Sequence, residues 1–366
     1  MSPTETYSPG LEGVVAGETA VSTLTGGLSY RGYPVVELVK KCDFLEVAYL
    51  LLYGDLPDPA ADEAFRDRLA STTLPAAMSN WLEQIPRDAV PMDVVRLGID
   101  RLALHDPETQ ETGREATLRK SERLLAQVPL LIGALAAHRH NRAVFARPAL
   151  GLTGNLLAMS LGREPTAEEQ KAFDLSLILY AEHEFNASTF TARVVTSTEA
   201  DLHSAVSAAI GALKGPLHGG ANERAMDVIR AAGPPAGADA WLKGALARKD
   251  KIMGFGHRVY KAGDVRAGIL KPYSHEAMIR AGHQDLEATS EIIEKGMERE
   301  KNLFANVDWP AGRLYFAIGL DVPLYTPFFV AARVTGWCAH VLEQQAKNRI
   351  IRPKSLYIGH APRPVK

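Results

Sequence analysis

From Glu168 to Ser197 the chain reads EEQKAFDLSLILYAEHEFNASTFTARVVTS. Phe173, Leu175, Leu177, Leu179, Phe185, Phe190 and Val194 fall on nearly every side of a 3.6-residue spiral. That distribution marks a helix buried all round, not an amphipathic surface helix. His183, Glu184 and Asn186 stand inside it and are costly there unless each finds a partner.

The same periodicity runs outward in both directions. Upstream, Val35 to Val39, Phe44 to Tyr53, Ala61 to Leu69, Met92 to Leu104 and Leu118 to Ala137 place apolar residues three or four apart, with Pro57, Pro75, Pro86 and Pro91 as punctuation. Downstream, Ala200 to Leu213, Asn222 to Ala232, Ala238 to Ala247, His275 to Phe304 and Pro327 to Gln345 continue it. Only residues 10–34, rich in Gly and Thr with patches of alternation, read as a small extended or hairpin region. Strands do not alternate with helices, which argues against a doubly wound sheet. A chain of 366 residues has the length of about two domains.

Composition narrows the function classes. With 41 Lys and Arg against 43 Asp and Glu the formal charge is −2, so no global basic field draws nucleic acid or an acidic membrane. Anionic ligands must be held by local groups of Arg, Lys and His. The two cysteines, Cys42 and Cys338, lie far apart among apolar residues and read as core packing in a reducing compartment. The first residues, MSPTETYSPG, have no basic and apolar leader pattern, and the expected location is cytoplasmic.

Three short loops between helices concentrate the chemistry. In Lys214-Gly-Pro-Leu-His-Gly-Gly-Ala221, His218 stands just before a helix starting near Asn222. A helix N-terminus disfavours imidazolium, so a neutral His218 can donate to a carbonyl oxygen turning into an enolate; capping the turn is the competing role. In the second loop, residues 253–266, Gly254 and Gly256 let backbone amides approach a ligand. There His257 and Arg266 suit a carboxylate-bearing keto compound, one polarising and the other clamping. The pair of glycines lacks the third glycine and the preceding strand of a dinucleotide site. In Asn306-Val-Asp308-Trp-Pro-Ala-Gly312, Asp308 precedes a helix start and by position alone is an N-cap before it is a base.

Arg333, embedded in the apolar helix of residues 325–337, needs a partner or an anionic ligand. Arg352 is less constrained. No HExxH, P-loop or GxSxG pattern occurs, and two cysteines build no zinc site, so no metal is expected.

Taken in order, seven segments resemble the citrate synthase family in its shorter bacterial and archaeal form. They are Gly10-Leu-Glu-Gly, Tyr30-Arg-Gly-Tyr-Pro34, His183-Glu-Phe-Asn-Ala-Ser-Thr189, Gly215-Pro-Leu-His-Gly-Gly-Ala-Asn222, Gly254-Phe-Gly-His-Arg-Val-Tyr260, Asn306-Val-Asp308 and Arg352-Pro-Lys-Ser355. The resemblance spans residues 10–364. It implies an all-α fold with a large helical domain (1–219 and 320–366) and a small mobile one (220–319).

The resemblance also implies the reaction and its residues. Asp308 is the base that takes a proton from the acyl carbon, His218 hydrogen-bonds the thioester oxygen, and His257 polarises the oxaloacetate ketone. Oxaloacetate is held by His183, His257, Arg266, Phe329, Arg333 and, from the partner of a homodimer, Arg352. CoA contacts fall on Lys251, Ile252, Met253, Gly254, Phe255 and Gly256, with Lys261 and Lys354. No bound cofactor is implied, since the CoA thioester is a substrate. The family's longer hexameric branch uses an additional N-terminal region for NADH inhibition. Here the shared pattern starts at Gly10, so a dimer without that control is expected. Acetyl-CoA, with a place in the tricarboxylic acid cycle, is expected ahead of propionyl-CoA and the 2-methylcitrate reaction. One methylene is worth only about 1–3 kcal/mol of discrimination. Two departures from the family pattern stand out. Asp264-Val-Arg266 replaces Asp-Pro-Arg, which keeps the spacing of Arg266 but frees φ and puts the loop's rigidity in question; Trp309-Pro-Ala311 replaces an aromatic and small polar residues, which puts the acyl preference in question.

Overall fold

A computed structural model describes residues 7–257, 259–260 and 263–365; the candidate CoA contact Lys261 lies outside the described residues. Within them the chain forms sixteen α-helices and one small antiparallel sheet, so the class is all-α as expected. The strands Ser22–Thr23, Ser29–Tyr30 and Tyr33–Pro34 pair in sequence order, with Tyr30 opposite both Ser22 and Tyr33. They account for the alternating pattern within residues 10–34.

The defining stretch differs from the single helix expected over 168–197. It forms two helices, Ala167–Tyr180 and Ala187–Thr196, separated by a tight turn in which Glu184 takes φ +48°. The break is how the polar residues find partners. The Asn186 side chain accepts the Thr189 N–H at 3.1 Å and caps the second helix. Glu184 Oε1 accepts the Leu24 N–H at 2.7 Å. Unbroken, the helix would hold these groups among apolar neighbours without hydrogen bonds. The helix expected over 275–304 is likewise replaced by Val265–Arg280 and Gln284–Lys301, joined at Gly282 with φ +79°.

Tyr325–Ala346 is the central helix and is buried along most of its length. Around it pack Arg114–Arg139, Phe44–Tyr53, Ala167–Tyr180, Ala187–Thr196 and Leu202–Leu213. A second group, Ala221–Ala232, Pro235–Ala247, Val265–Arg280, Gln284–Lys301 and Asp308–Ile318, packs mainly on itself. It meets the first group where Val265–Arg280 and Asp308–Ile318 lie against Ala167–Tyr180, and where Ala221–Ala232 touches Tyr325–Ala346. The functional side chains gather along that seam. Cys338 is buried and Cys42 half-buried, and neither is in a disulfide. No helix among the described residues is long and apolar enough to cross a membrane.

Candidate active site

A cavity of about 990 Å³ opens at the seam. His218, His257 and Asp308 all face it. So do His183, Arg266, Phe329 and Arg333, while Lys251 through Gly256 form one wall. Arg352 and Lys354 are not on the lining; Arg352 is exposed on a C-terminal stretch without regular structure. Gly10 to Val14 of the N-terminal segment form a further wall, which the sequence pattern alone does not indicate.

Asp308 is the first residue of Asp308–Ile318, and its side chain makes no capping bond; Val307 occupies the cap position. The N-cap role weighed from sequence position therefore does not apply. Instead the Asn306 side chain accepts the Asp308 N–H at 3.1 Å, leaving the carboxylate to accept the Tyr180 hydroxyl proton at 2.8 Å. Burial pushes the Asp308 carboxyl up to about 6, against the opposing pull of the Tyr180 hydrogen bond and then Arg266. A carboxyl there is ionised at neutral pH and basic enough to take a proton from carbon. Its helix is pinned from behind by Arg313, fully buried, whose Nη1 donates to Glu287 Oε1 at 2.8 Å and to Ser290 Oγ at 2.7 Å.

His218 precedes Ala221–Ala232, as the sequence suggested, but the helix end that orients it is another one. Its Nε2 accepts the Ser188 backbone N–H at 3.3 Å, in the first turn of Ala187–Thr196, and lies 2.9 Å from Ser188 Oγ. An N–H pointing at Nε2 leaves that nitrogen without a proton, so Nδ1 carries the only one. Burial, then the charge of Arg333, holds the imidazole down at about 3, and the ring is neutral over the working range.

His257 is turned the opposite way. Its Nδ1 faces the backbone N–H groups of Val259 and Tyr260, at 3.1 and 3.3 Å, so Nε2 is the protonated donor. The ring packs at 5.0 Å from His183 and 4.7 Å from Tyr260. His183 pairs through Nε2 with the Tyr260 hydroxyl at 3.0 Å, and burial, then Arg266, keeps its imidazole well below the ordinary value. Uncharged His183 thus sits beside the guanidinium groups of Arg266 and Arg333.

Arg266 is buried and bidentate with Asp264, through Nε to Oδ1 at 3.0 Å and Nη2 to Oδ2 at 2.8 Å. Asp264 also caps Val265–Arg280 by accepting the Arg266 N–H and takes the Val307 N–H at 3.1 Å. With valine at 265, these bonds tie the arginine's segment to the segment carrying Asp308. Arg333 is also buried, donating from Nε to the Tyr180 carbonyl at 2.6 Å and stacking over Phe329 at 4.7 Å. Its Nη1 is buried with no hydrogen-bond partner among the described residues, so it can still take a carboxylate.

Trp309 does not line the cavity. It is fully buried behind the cavity loop, 4.6 Å from the Phe255 ring, under Gly254. Gly254 has φ +89°, and a Cβ there would come 2.7 Å from the indole. The departure at residues 309–311 therefore shapes the loop of residues 254–256 from behind. Away from the cavity, His275, Glu287 and Glu291 are close enough to share an ion, but Glu287 is already committed to Arg313.

Sequence reasoning missed Tyr180, Ser188, Tyr260 and Asp264. Each acts on a partner through the fold, and only Asp264, two residues from Arg266, carried a local signal.

The chain's likenesses agree with this geometry. The family described as citrate synthase, C-terminal domain, matches residues 10–354. A 2-methylcitrate synthase of Shewanella oneidensis is 45% identical over 97% of this chain and 96% of its own length. A citrate synthase of Mycolicibacterium smegmatis is 43% identical over 98% of each. The citrate synthase of Thermoplasma acidophilum, solved as a ternary complex with carboxymethyl coenzyme A and oxaloacetate, superposes with a TM-score of 0.93 at 30% identity, covering 99% of this chain and 98% of that one.

Proposed function

Because the chain belongs to the citrate synthase family of acyltransferases, we propose that Asp308, His218 and His257 condense a short acyl-CoA with oxaloacetate in the cavity at the seam. The observation that carries the assignment is one cavity faced by a buried carboxyl near 6 and two histidines with opposite tautomers.

In this mechanism Asp308 removes a proton from the acyl α-carbon while His218 donates its Nδ1 hydrogen bond to the thioester oxygen as the enol forms. His257 donates from Nε2 to the oxaloacetate ketone, which makes that carbon more electrophilic. The α-carbon bonds to the ketone carbon as the C=O π bond opens, and the alkoxide takes the Nε2 proton of His257, which is replaced from solvent. Water then cleaves the thioester, giving free CoA and a tricarboxylate. Arg266, Arg333 and uncharged His183 hold the oxaloacetate carboxylates, with Phe329 fixing the plane of Arg333. CoA lies along Lys251 to Gly256, a turn that needs the positive φ of Gly254 and Gly256.

Helices 221–318 form a small domain that closes over the cavity and excludes water until the carbon bond is made. The exposed C-terminal stretch carries Ile350, Leu356, Tyr357 and Ile358 outward. Such an apolar arm suits a homodimer in which Arg352 completes the partner's oxaloacetate site. Both acetyl-CoA and propionyl-CoA are taken as acyl donors, in keeping with relatives of both names at 43% and 45% identity.

The test is continuous thiol release with oxaloacetate and either acyl-CoA. No CoA released with either one refutes the assignment. The ratio of the two kcat/KM values decides the acyl preference, and a ratio beyond about a hundredfold, near the upper end for one methylene, overturns dual use.

A further inference from the structure

Behind Arg333 lies a buried carboxylate that the mechanism does not use. Glu182 is fully buried in the turn between Ala167–Tyr180 and Ala187–Thr196. Its Oε1 accepts from Ser22 Oγ at 2.9 Å and from His340 Nε2 at 2.8 Å, while Oε2 has no hydrogen-bond partner among the described residues. The His340 tautomer is set from its far side, where Arg193 Nη1 donates to Nδ1 at 3.0 Å. Arg193 is in turn paired with Glu343 at 2.6 Å. A seat for the carboxylate exists only because residue 336 is glycine: a Cβ there would collide with Glu182 Oε2 and the Ala181 carbonyl. Gly336 is one helical turn from Arg333.

Despite complete burial, which works against its charge, Glu182 is kept below the ordinary carboxylate value by His340, then Arg333 and Ser22. Arg333 is pushed down by burial to about 10, and Glu182 is the strongest charge opposing that; Arg266, Tyr30 and Tyr180 are the other groups it feels. The two arginines of the cavity are therefore balanced differently. Asp264 grips Arg266 directly and fixes its plane. Glu182 balances Arg333 through space, leaving Nη1 for a ligand.

We propose that Glu182, held in place by His340 and Ser22, is a positioning and affinity-setting residue: a built-in counter-anion that weakens the grip of Arg333 on carboxylates so that the tricarboxylate product leaves. The inference rests on Arg333 being a carboxylate clamp. A buried negative charge close to the clamp stabilises the empty site and repels an incoming carboxylate, so its removal moves stability and affinity in opposite directions. Loss of a merely structural contact would loosen the fold and weaken binding together.

The experiment is calorimetric titration of the full-length enzyme with oxaloacetate and citrate, beside steady-state kinetics and thermal melts. Glu182→Gln keeps shape and loses charge. It is expected to bind oxaloacetate and citrate roughly fivefold or more tightly, with a lower KM, a lower kcat from slow product release, and a lower Tm. Glu182→Asp, which restores the charge, returns affinity toward wild type. Unchanged or weaker binding by Glu182→Gln overturns the inference. If that variant does not fold, the double replacement of Glu182→Leu with His340→Leu, which removes the charge together with its donor, is read by the same titration; tighter binding supports the proposal and weaker or unchanged binding overturns it. Arg333→Leu separates the two readings, since undiminished oxaloacetate binding there defeats the clamp itself.

Discussion

The Tyr180 hydroxyl donates to Oδ1 of Asp308 at 2.8 Å, joining the last residue of one helix to the first residue of another 128 positions later. The same residue's carbonyl receives Arg333 Nε. One tyrosine thus holds the proposed base with its side chain and the proposed clamp with its backbone.

Replacing Tyr180 with Phe separates those two duties. The hydroxyl bond favours ionised Asp308, so its loss moves the carboxyl above about 6. Protonated base is inactive, and the acid limb of kcat/KM shifts to higher pH. A profile measured from pH 5 to 9 should show roughly tenfold lower activity near neutrality and recovery in alkali. An acid limb that stays put would mean Asp308 is not the titrating base.

Asp308→Asn keeps the shape of the site and removes the base. Turnover should fall by about a thousandfold or more, while oxaloacetate affinity by calorimetry stays within about threefold of wild type. Lost binding would assign Asp308 a structural role instead.

His218 should leave no trace in the pH profile. Its charged form appears only below about 3, so the neutral donor is present throughout the working range. His218→Ala is expected to lower kcat about 10²–10³-fold with oxaloacetate affinity unchanged. A wild-type limb that disappears in this variant would contradict the neutral assignment.

Arg313 and Glu287 form a fully buried pair behind the helix of Asp308. Removing one partner leaves an uncompensated charge and should cost about 3–5 kcal/mol. Chemical denaturation of Arg313→Leu measures it, and the double replacement with Glu287→Leu should recover much of the loss. Additive losses would show that the pair is not coupled.

Sharing of Arg352 between subunits has a sharper test than loss of activity. Asp308→Asn and Arg352→Leu are each expected to be nearly inactive. Co-refolded in equal amounts they form mixed dimers with one intact site, giving about one quarter of wild-type activity. No recovery, with mixed dimers present by native mass measurement, would place Arg352 in its own subunit's site.

The helical class was legible because every long segment repeats its apolar residues at three and four. The break at residues 181–186 was not, although its cause was in view: His183, Glu184 and Asn186 could not remain in an apolar helix unpartnered. Periodicity sees the apolar positions and is blind to a chain that leaves the helix to satisfy polar ones. The same blindness joined 275–304 across Gly282. In the site, the loops of His218, His257 and Asp308 announced themselves by glycine and proline around a polar residue. Tyr180 and Ser188 could not, since each lies in a helix and gains its meaning from a partner 128 or 30 residues away. The orienting helix end for His218 was misassigned for that reason: the nearer end in sequence is not the one whose N–H reaches the ring.

The backbone N–H at Nε2 of His218 has a consequence for the fate of hydrogen. In the proposed reaction the ring lends its one proton and stores no other, so it leaves each cycle as it entered. The hydron removed from the acyl carbon passes to the proposed base, Asp308. Deuterium carried in on the acyl group is then expected to reach solvent through that carboxyl, at a rate set by its exchange with water.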